Sequence, residues 1–123
     1  MKSIERLWPT PKNLTGYALE FYKRVGKQLI SCGVLTELDR ESFISLASAY
    51  HIMNVSLDSI NELGATVPGE GCDIKKNPSF TNYKMASDIF TKLSKRFYLC
   101  PQDRAGLRIE KQVVDETEAK FFG

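Results

Sequence analysis

Residues 36–64, TELDRESFISLASAYHIMNVSLDSINELG, decide how this chain folds. Thr36-Glu37-Leu38-Asp39 resembles a capping box, with a carboxylate three residues after the hydroxyl. Asp39 also suits the positive end of a helix dipole. Apolar residues then recur at helical steps through Leu46, Tyr50, Met53, Leu57 and Ile60, and Gly64 ends the run. Some 27 residues at about 1.5 Å each give a rod of roughly 40 Å, long for a small domain. The rod carries a second apolar strip, Ile44, Ile52 and Val55, about half a turn from the first. A helix that is apolar on two sides is usually buried on two sides. Short neighbouring helices can scarcely cover both, so this strip reads as a surface for self-association.

Upstream, no proline falls between Lys12 and Val67, which leaves room for long helices. The first helix is expected from about Leu14 to Cys32, with Leu14, Ala18, Phe21, Tyr22, Val25 and Leu29 on one face. Gly33 supplies the stop. Lys23, Arg24 and Lys27 project from the other face. Leu19, Gly26 and Ile30 form a smaller apolar strip beside them and join the expected assembly surface. An interior Gly costs about 1 kcal/mol against Ala, and close approach by another helix is one reason to tolerate Gly26.

Downstream, residues 64–77 read as a loop or a small hairpin, with a turn signal at Val67-Pro68-Gly69. Asn77 is a strong cap and Pro78 a favoured first residue for a third helix. On that helix Phe80, Tyr83, Ala86, Ile89, Phe90, Leu93 and Phe97 share one face, and Lys84, Asp88, Lys92 and Lys95 the other. The Lys84, Asp88 and Lys92 spacing also fits ordinary surface ion pairs. A short fourth helix is expected from Pro101, carrying Asp103, Arg104, Leu107 and Arg108. The expected fold is all-α: a compact bundle of three main helices plus a short fourth. Residues 1–12 form an arm, 13–109 the helical domain and 110–123 a charged flexible tail.

The chain has 123 residues, 42% hydrophobic and 26% charged, enough for one domain with its own core. No run of 18 apolar residues predicts a membrane span, and MKSIERLWPTPK lacks the apolar centre of a secretory signal. Both observations predict residence in the cytosol. The net charge of +2 conceals an uneven distribution. Residues 1–40 hold seven basic and four acidic side chains, and residues 41–74 none basic and five acidic. Residues 75–111 hold nine basic and three acidic. An acidic second helix between basic ends could match opposite charges on neighbouring subunits. The basic third helix and the loop before it could follow a phosphate backbone.

No catalytic pattern is present. GEGCDIKKNP at 69–78 has glycines and lysines, but neither lysine follows Gly or precedes Ser or Thr, as a phosphate loop requires. There is no G-x-S-x-G or H-E-x-x-H. His51 reads as packed or partly exposed, with no orienting partner for catalysis. Cys32, Cys72 and Cys100 form no C-x-x-C pair and read as reduced, mostly buried apolar residues. No metal, cofactor or enzymatic activity is expected.

In this order the signals resemble the small terminase subunit of tailed bacteriophages, in the branch with a compact helical core. The matching features are Pro11, Leu14 and Leu29, then Gly33-Val34-Leu35-Thr36-x-x-Asp39. Tyr50, Gly64 and Lys76-Asn77-Pro78 follow, and then Leu93, Phe97, Leu99, Pro101 and Arg104. Three features depart from the family. Gly usually stands where this chain has Tyr98, which predicts a different exit from the third helix. Ser or Thr usually stands at Cys100, and the tail is short.

The resemblance implies a ring-shaped homo-oligomer in the cytoplasm of a bacterial host. Such a protein recognises viral double-stranded DNA and recruits and regulates the large terminase subunit, which holds the ATPase and nuclease. With the charge layout, it selects Lys23, Arg24, Lys27, Lys75, Lys76, Lys92, Lys95 and Arg96 as candidate phosphate contacts. Two alternatives stand beside it. One is a dimeric helix-turn-helix regulator reading a palindromic site. The other is a protein-interaction scaffold that does not touch DNA.

Overall fold

A computed structural model describes residues 2–64, 66–71 and 74–105. In chain order they form α1 (Gly16–Cys32), a tight 3-10 turn (Glu37–Asp39), α2 (Arg40–Leu63), β1 (Thr66–Pro68), β2 (Ile74–Lys76) and α3 (Ser79–Arg96). Residues 101–105 are helical, where a fourth helix was expected. Leu107, Arg108 and the tail at 110–123 lie outside the described residues. The fold is mostly helical, as the sequence indicates, and the 64–77 loop contains a small antiparallel hairpin that pairs Thr66 with Lys76 and Pro68 with Ile74.

The helix ends show why the chain turns where it does. The Asp39 carboxylate accepts hydrogen bonds from the Thr36 backbone N–H at 2.8 Å and from its hydroxyl at 3.1 Å. This holds the entry to α2, whose first turn is wound as 3-10 helix. α1 ends on Gly33 at φ +69°. The Gly33 N–H reaches the Ile30 carbonyl, and the Val34 N–H reaches that of Leu29. This pair of bonds closes a Schellman motif. α3 ends the same way: the Tyr98 N–H bonds Lys95 O and the Leu99 N–H bonds Ser94 O. Tyr98 holds φ +58°, the left-handed conformation that glycine favours. Tyr98 thus accepts a conformation costing roughly 1–2 kcal/mol.

α2 is the central helix, with α1 and α3 both packed antiparallel to it. The apolar face expected on α1 is buried in full: Leu14, Ala18, Phe21, Tyr22, Val25 and Leu29. A run of aromatic rings joins all three helices. Phe21 lies 4.6 Å from Tyr50 and 5.8 Å, edge on, from Phe90. Phe43 meets Tyr22 at 5.4 Å and Phe97 at 5.7 Å. Such pairs contribute about 0.5–1.5 kcal/mol beyond their burial.

The arm is folded onto this body. The Ile4 N–H bonds Leu35 O at 2.8 Å. Trp8 is buried, its indole N–H donates to Glu37, and its carbonyl accepts from the Tyr22 hydroxyl at 2.9 Å. Burial raises the Tyr22 phenol above its ordinary pKa, while Arg40 acts in the opposite sense. Leu7 covers Gly26. A Cβ there would stand 2.8 Å from Leu7 Cδ1 and 3.2 Å from Phe43 Cε1. The close approach inferred at Gly26 is therefore made by this chain's own arm and α2.

The far end of the molecule is built differently. α1 begins opposite His51 and Asp58, so the end of α2, the hairpin and the start of α3 extend beyond it. Between positions 52 and 89 the buried residues among those described are Ser56, Asn77 and Ala86. Leu57 and Ile89, expected on apolar core faces, are 41% and 50% exposed. α1 reaches α2 as far as Asp58, through Tyr17, and Phe90 meets Phe21, so Leu57 and Ile89 are exposed because they turn away from α1. Ile89 lines a surface cavity with Glu41, Ser42 and Ser45.

Candidate nucleic-acid and assembly surfaces

Asn77 sets the geometry of the far end. It is 2% exposed, and its Oδ1 accepts the Ser79 N–H at 3.0 Å while its Nδ2 donates to Gly64 O at 3.1 Å. The cap read from the sequence thus also ties the start of α3 to the end of α2. Gly64 sits at φ +83° and ψ −175°, a combination essentially restricted to glycine. These two residues fix where β2 leaves the helices and so place Lys75 and Lys76. Both lysines are exposed, and neighbouring strand residues face opposite ways. The Lys76 ammonium lies 5.7 Å from the Phe80 ring centroid, a cation–π contact at the foot of α3.

The remaining candidate cations fall into two further groups. Lys23 and Lys27 line an open groove of about 440 Å³ with Glu5, Arg6, Leu7 and Ile30. Arg6 was missed by the sequence reading because the arm has no periodicity to show which way it folds. Arg24 bonds Glu20 one turn earlier, which raises its pKa. Both side chains are about half exposed, so this pair adds little stability. On α3, Lys92 and Arg96 line a cavity of about 420 Å³ together with Glu41, Ser42, Ser45 and Ile89. Lys95 is exposed elsewhere on that helix. Lys84 and Asp88 are exposed and form no ion pair with each other or with Lys92; the ion pairs among the described residues are Arg24–Glu20 and Arg40–Glu41.

Of the six residues expected at an assembly surface, Ile52 and Val55 are each 47% exposed on α2. Ile44 and Ile30 are half-buried against the core, Leu19 is half-buried and Gly26 lies under Leu7. Leu57, Leu63, Ile74, Met85 and Ile89 are exposed as well, though not all on one face: Leu57 lies about half a turn round α2 from Ile52 and Val55. None of these five was selected from sequence for assembly: Leu57 and Ile89 fit the period of a core face, and Leu63, Ile74 and Met85 are single apolar residues that give no periodic signal.

Nothing in the described residues assembles a catalytic or metal site. His51 is half-buried beside Gly16 and Tyr17, and its Nδ1 has no hydrogen-bond partner among the described residues. No group of three His, Cys, Asp or Glu side chains is placed to hold a metal among them. Contrary to the buried reading of the cysteines, Cys32 is exposed and Cys100 half-buried; Cys72 lies outside the described residues. No helix among the described residues is long and apolar enough to cross a membrane.

Comparison with known proteins adds one match. The model of the family described as phage terminase, small subunit, matches residues 18–113, which covers α1 from Ala18 onward, α2, the hairpin, α3 and the helical residues after it. No curated protein and no solved structure was found to match.

Proposed function

Because the chain belongs to the phage terminase small-subunit family, we propose that it binds viral double-stranded DNA and recruits and regulates the large terminase subunit during genome packaging. The match over residues 18–113 carries this reading, since it embraces every main helix of the fold. The family is generally non-catalytic, which leaves the ATPase and nuclease chemistry to the large subunit. The place of action is the cytoplasm of the bacterial host. The three cationic groups, Lys23 with Lys27 and Arg6, Lys75 with Lys76, and Lys92 with Lys95 and Arg96, support phosphate contact. Copies of the chain assemble into a ring through the apolar face that includes Ile52 and Val55. A ring presents each group once per subunit, so weak contacts add along one duplex.

Charge neutralisation tests the DNA half of the proposal. Replacing Lys75, Lys76, Lys92, Lys95 and Arg96 by Gln should weaken DNA binding and flatten the slope of log affinity against log salt. Unchanged affinity and slope would remove these residues from the DNA surface. Absence of DNA binding by the unaltered protein at low salt would favour the scaffold alternative. A footprint of two half-sites one helical turn apart would favour the regulator.

A further inference from the structure

We propose that residues 113–122, VVDETEAKFF, dock in the groove between the arm and α1 of the same chain and shield its cations from DNA. The groove has an apolar floor and a charged rim. Leu7 and Ile30 are half-buried, with Gly26 beneath Leu7. Arg6, Lys23 and Lys27 are exposed around them, and none has an ion-pair partner among the described residues. Glu5 is the one acidic residue at the groove. Three cations this close repel one another, so an acidic occupant is favoured.

The segment has the complementary pattern. Asp115, Glu116 and Glu118 form an acidic centre, with one opposing charge at Lys120. Val113 and Val114 precede that centre, and Phe121 and Phe122 follow it. Carboxylates can meet the rim while an apolar end covers Leu7 and Ile30.

The path of the chain places the segment within reach. Arg104, next to the end of the described residues, lines a cavity with Gln28, Ser31 and Cys32 at the end of α1. Lys27 and Ile30, at the groove, lie on the same stretch of helix. Seven residues lie between 105 and 113, and the eight Cα–Cα steps could span at most about 26 Å. A helix of 17 residues, such as α1, is about 25 Å long. The whole groove is therefore accessible without help from another subunit.

Docking would compete with phosphate for Lys23 and Lys27. That consequence rests on the packaging reading; the docking itself does not. The test uses the full chain and a carbodiimide, which joins an amine to a carboxylate only where the two are paired. Peptide mapping should find Lys23 or Lys27 joined to Asp115, Glu116 or Glu118, and these links should fade as salt screens the pairs. Chains with and without ¹⁵N, unfolded and refolded together, should give joined peptides of a single label. Absence of those links would overturn the proposal, and so would peptides carrying both labels, which would seat the segment on a neighbouring copy. The variant D115N/E116Q/E118Q should lose the links and bind DNA roughly three- to tenfold more tightly at low salt. Links without DNA binding would uphold the docking and count against the packaging reading. Missing links with unchanged DNA affinity would do the reverse.

Discussion

The body around Phe21, Phe43 and Phe97 and the far end between Ile52 and Ile89 share α2 and α3, yet different forces hold them. In the body three helices and the arm surround aromatic rings that are almost wholly buried. At the far end the buried residues are a serine, an asparagine and an alanine. Seven of the nine large apolar residues exposed among those described fall between positions 52 and 89, the last of them, Ile89, beside Ser42 and Ser45; Tyr17 and Leu38 are the others. The apolar surface of the body's rings is already removed from water within one chain. The far end leaves such surface exposed and relies on backbone geometry and one buried amide. Exposed apolar surface of this kind marks an interaction site, and on the proposed reading its partner is another copy of the chain.

The largest expected effect lies in the body. Phe43 is fully buried between α1 and α3. Phe43→Ala should cost about 3–5 kcal/mol, measured by denaturant unfolding at fixed protein concentration. A loss below about 1 kcal/mol would mean that the aromatic run does not hold the helices together. The next effects belong to the far end. Gly64→Ala places a Cβ on a backbone conformation that glycine alone tolerates, and should cost roughly 1–3 kcal/mol. The added methyl meets no neighbouring atom within 4 Å, so any loss reports backbone strain rather than a clash. Asn77→Ala removes the α3 cap and the bond to Gly64 O, at about 1–2 kcal/mol. Asn77→Asp keeps the cap acceptor and should recover part of that loss.

The smallest effect concerns the join between the two regions. The Tyr17 hydroxyl donates to Asp58, and this bond, with lesser help from burial and the Asp58 charge, raises the phenol above its ordinary pKa of 10.0. A raised folded-state value means that the bond contributes below pH 10 and is lost as pH rises through the Tyr17 titration. Phenolate absorbance of the chain minus that of Tyr17→Phe should show titration above 10. Asp58→Asn should return it toward 10. Titration at or below 10 in the unaltered chain would contradict the pairing.

Much of this division was legible in the sequence. The α1 face, the Thr36–Asp39 box, the Asn77 cap and the stops at Gly33 and Gly64 follow from spacing and from local backbone chemistry. What failed depended on partners distant in sequence. The Trp8 indole meets Glu37 29 residues away, and the arm's sequence carries no period that points there. Leu57 and Ile89 satisfy the helical period but face no third helix. Tyr98 occupies a left-handed position for which glycine is the expected residue. The candidate cations were selectable by charge alone, whereas their grouping, and the addition of Arg6, needed the arm to be seen folded.

The central claim is that the far end is completed by other copies of the chain. The most direct measurement is the native mass of the purified protein without DNA at moderate salt, compared with that of Ile52→Glu and Val55→Glu. The account predicts one discrete multi-subunit mass for the unaltered protein. It predicts smaller species for both variants, with helical content and unfolding free energy within about 0.5 kcal/mol of the original, as expected of exposed sites. A monomeric native protein, or variants that assemble unchanged, would contradict it.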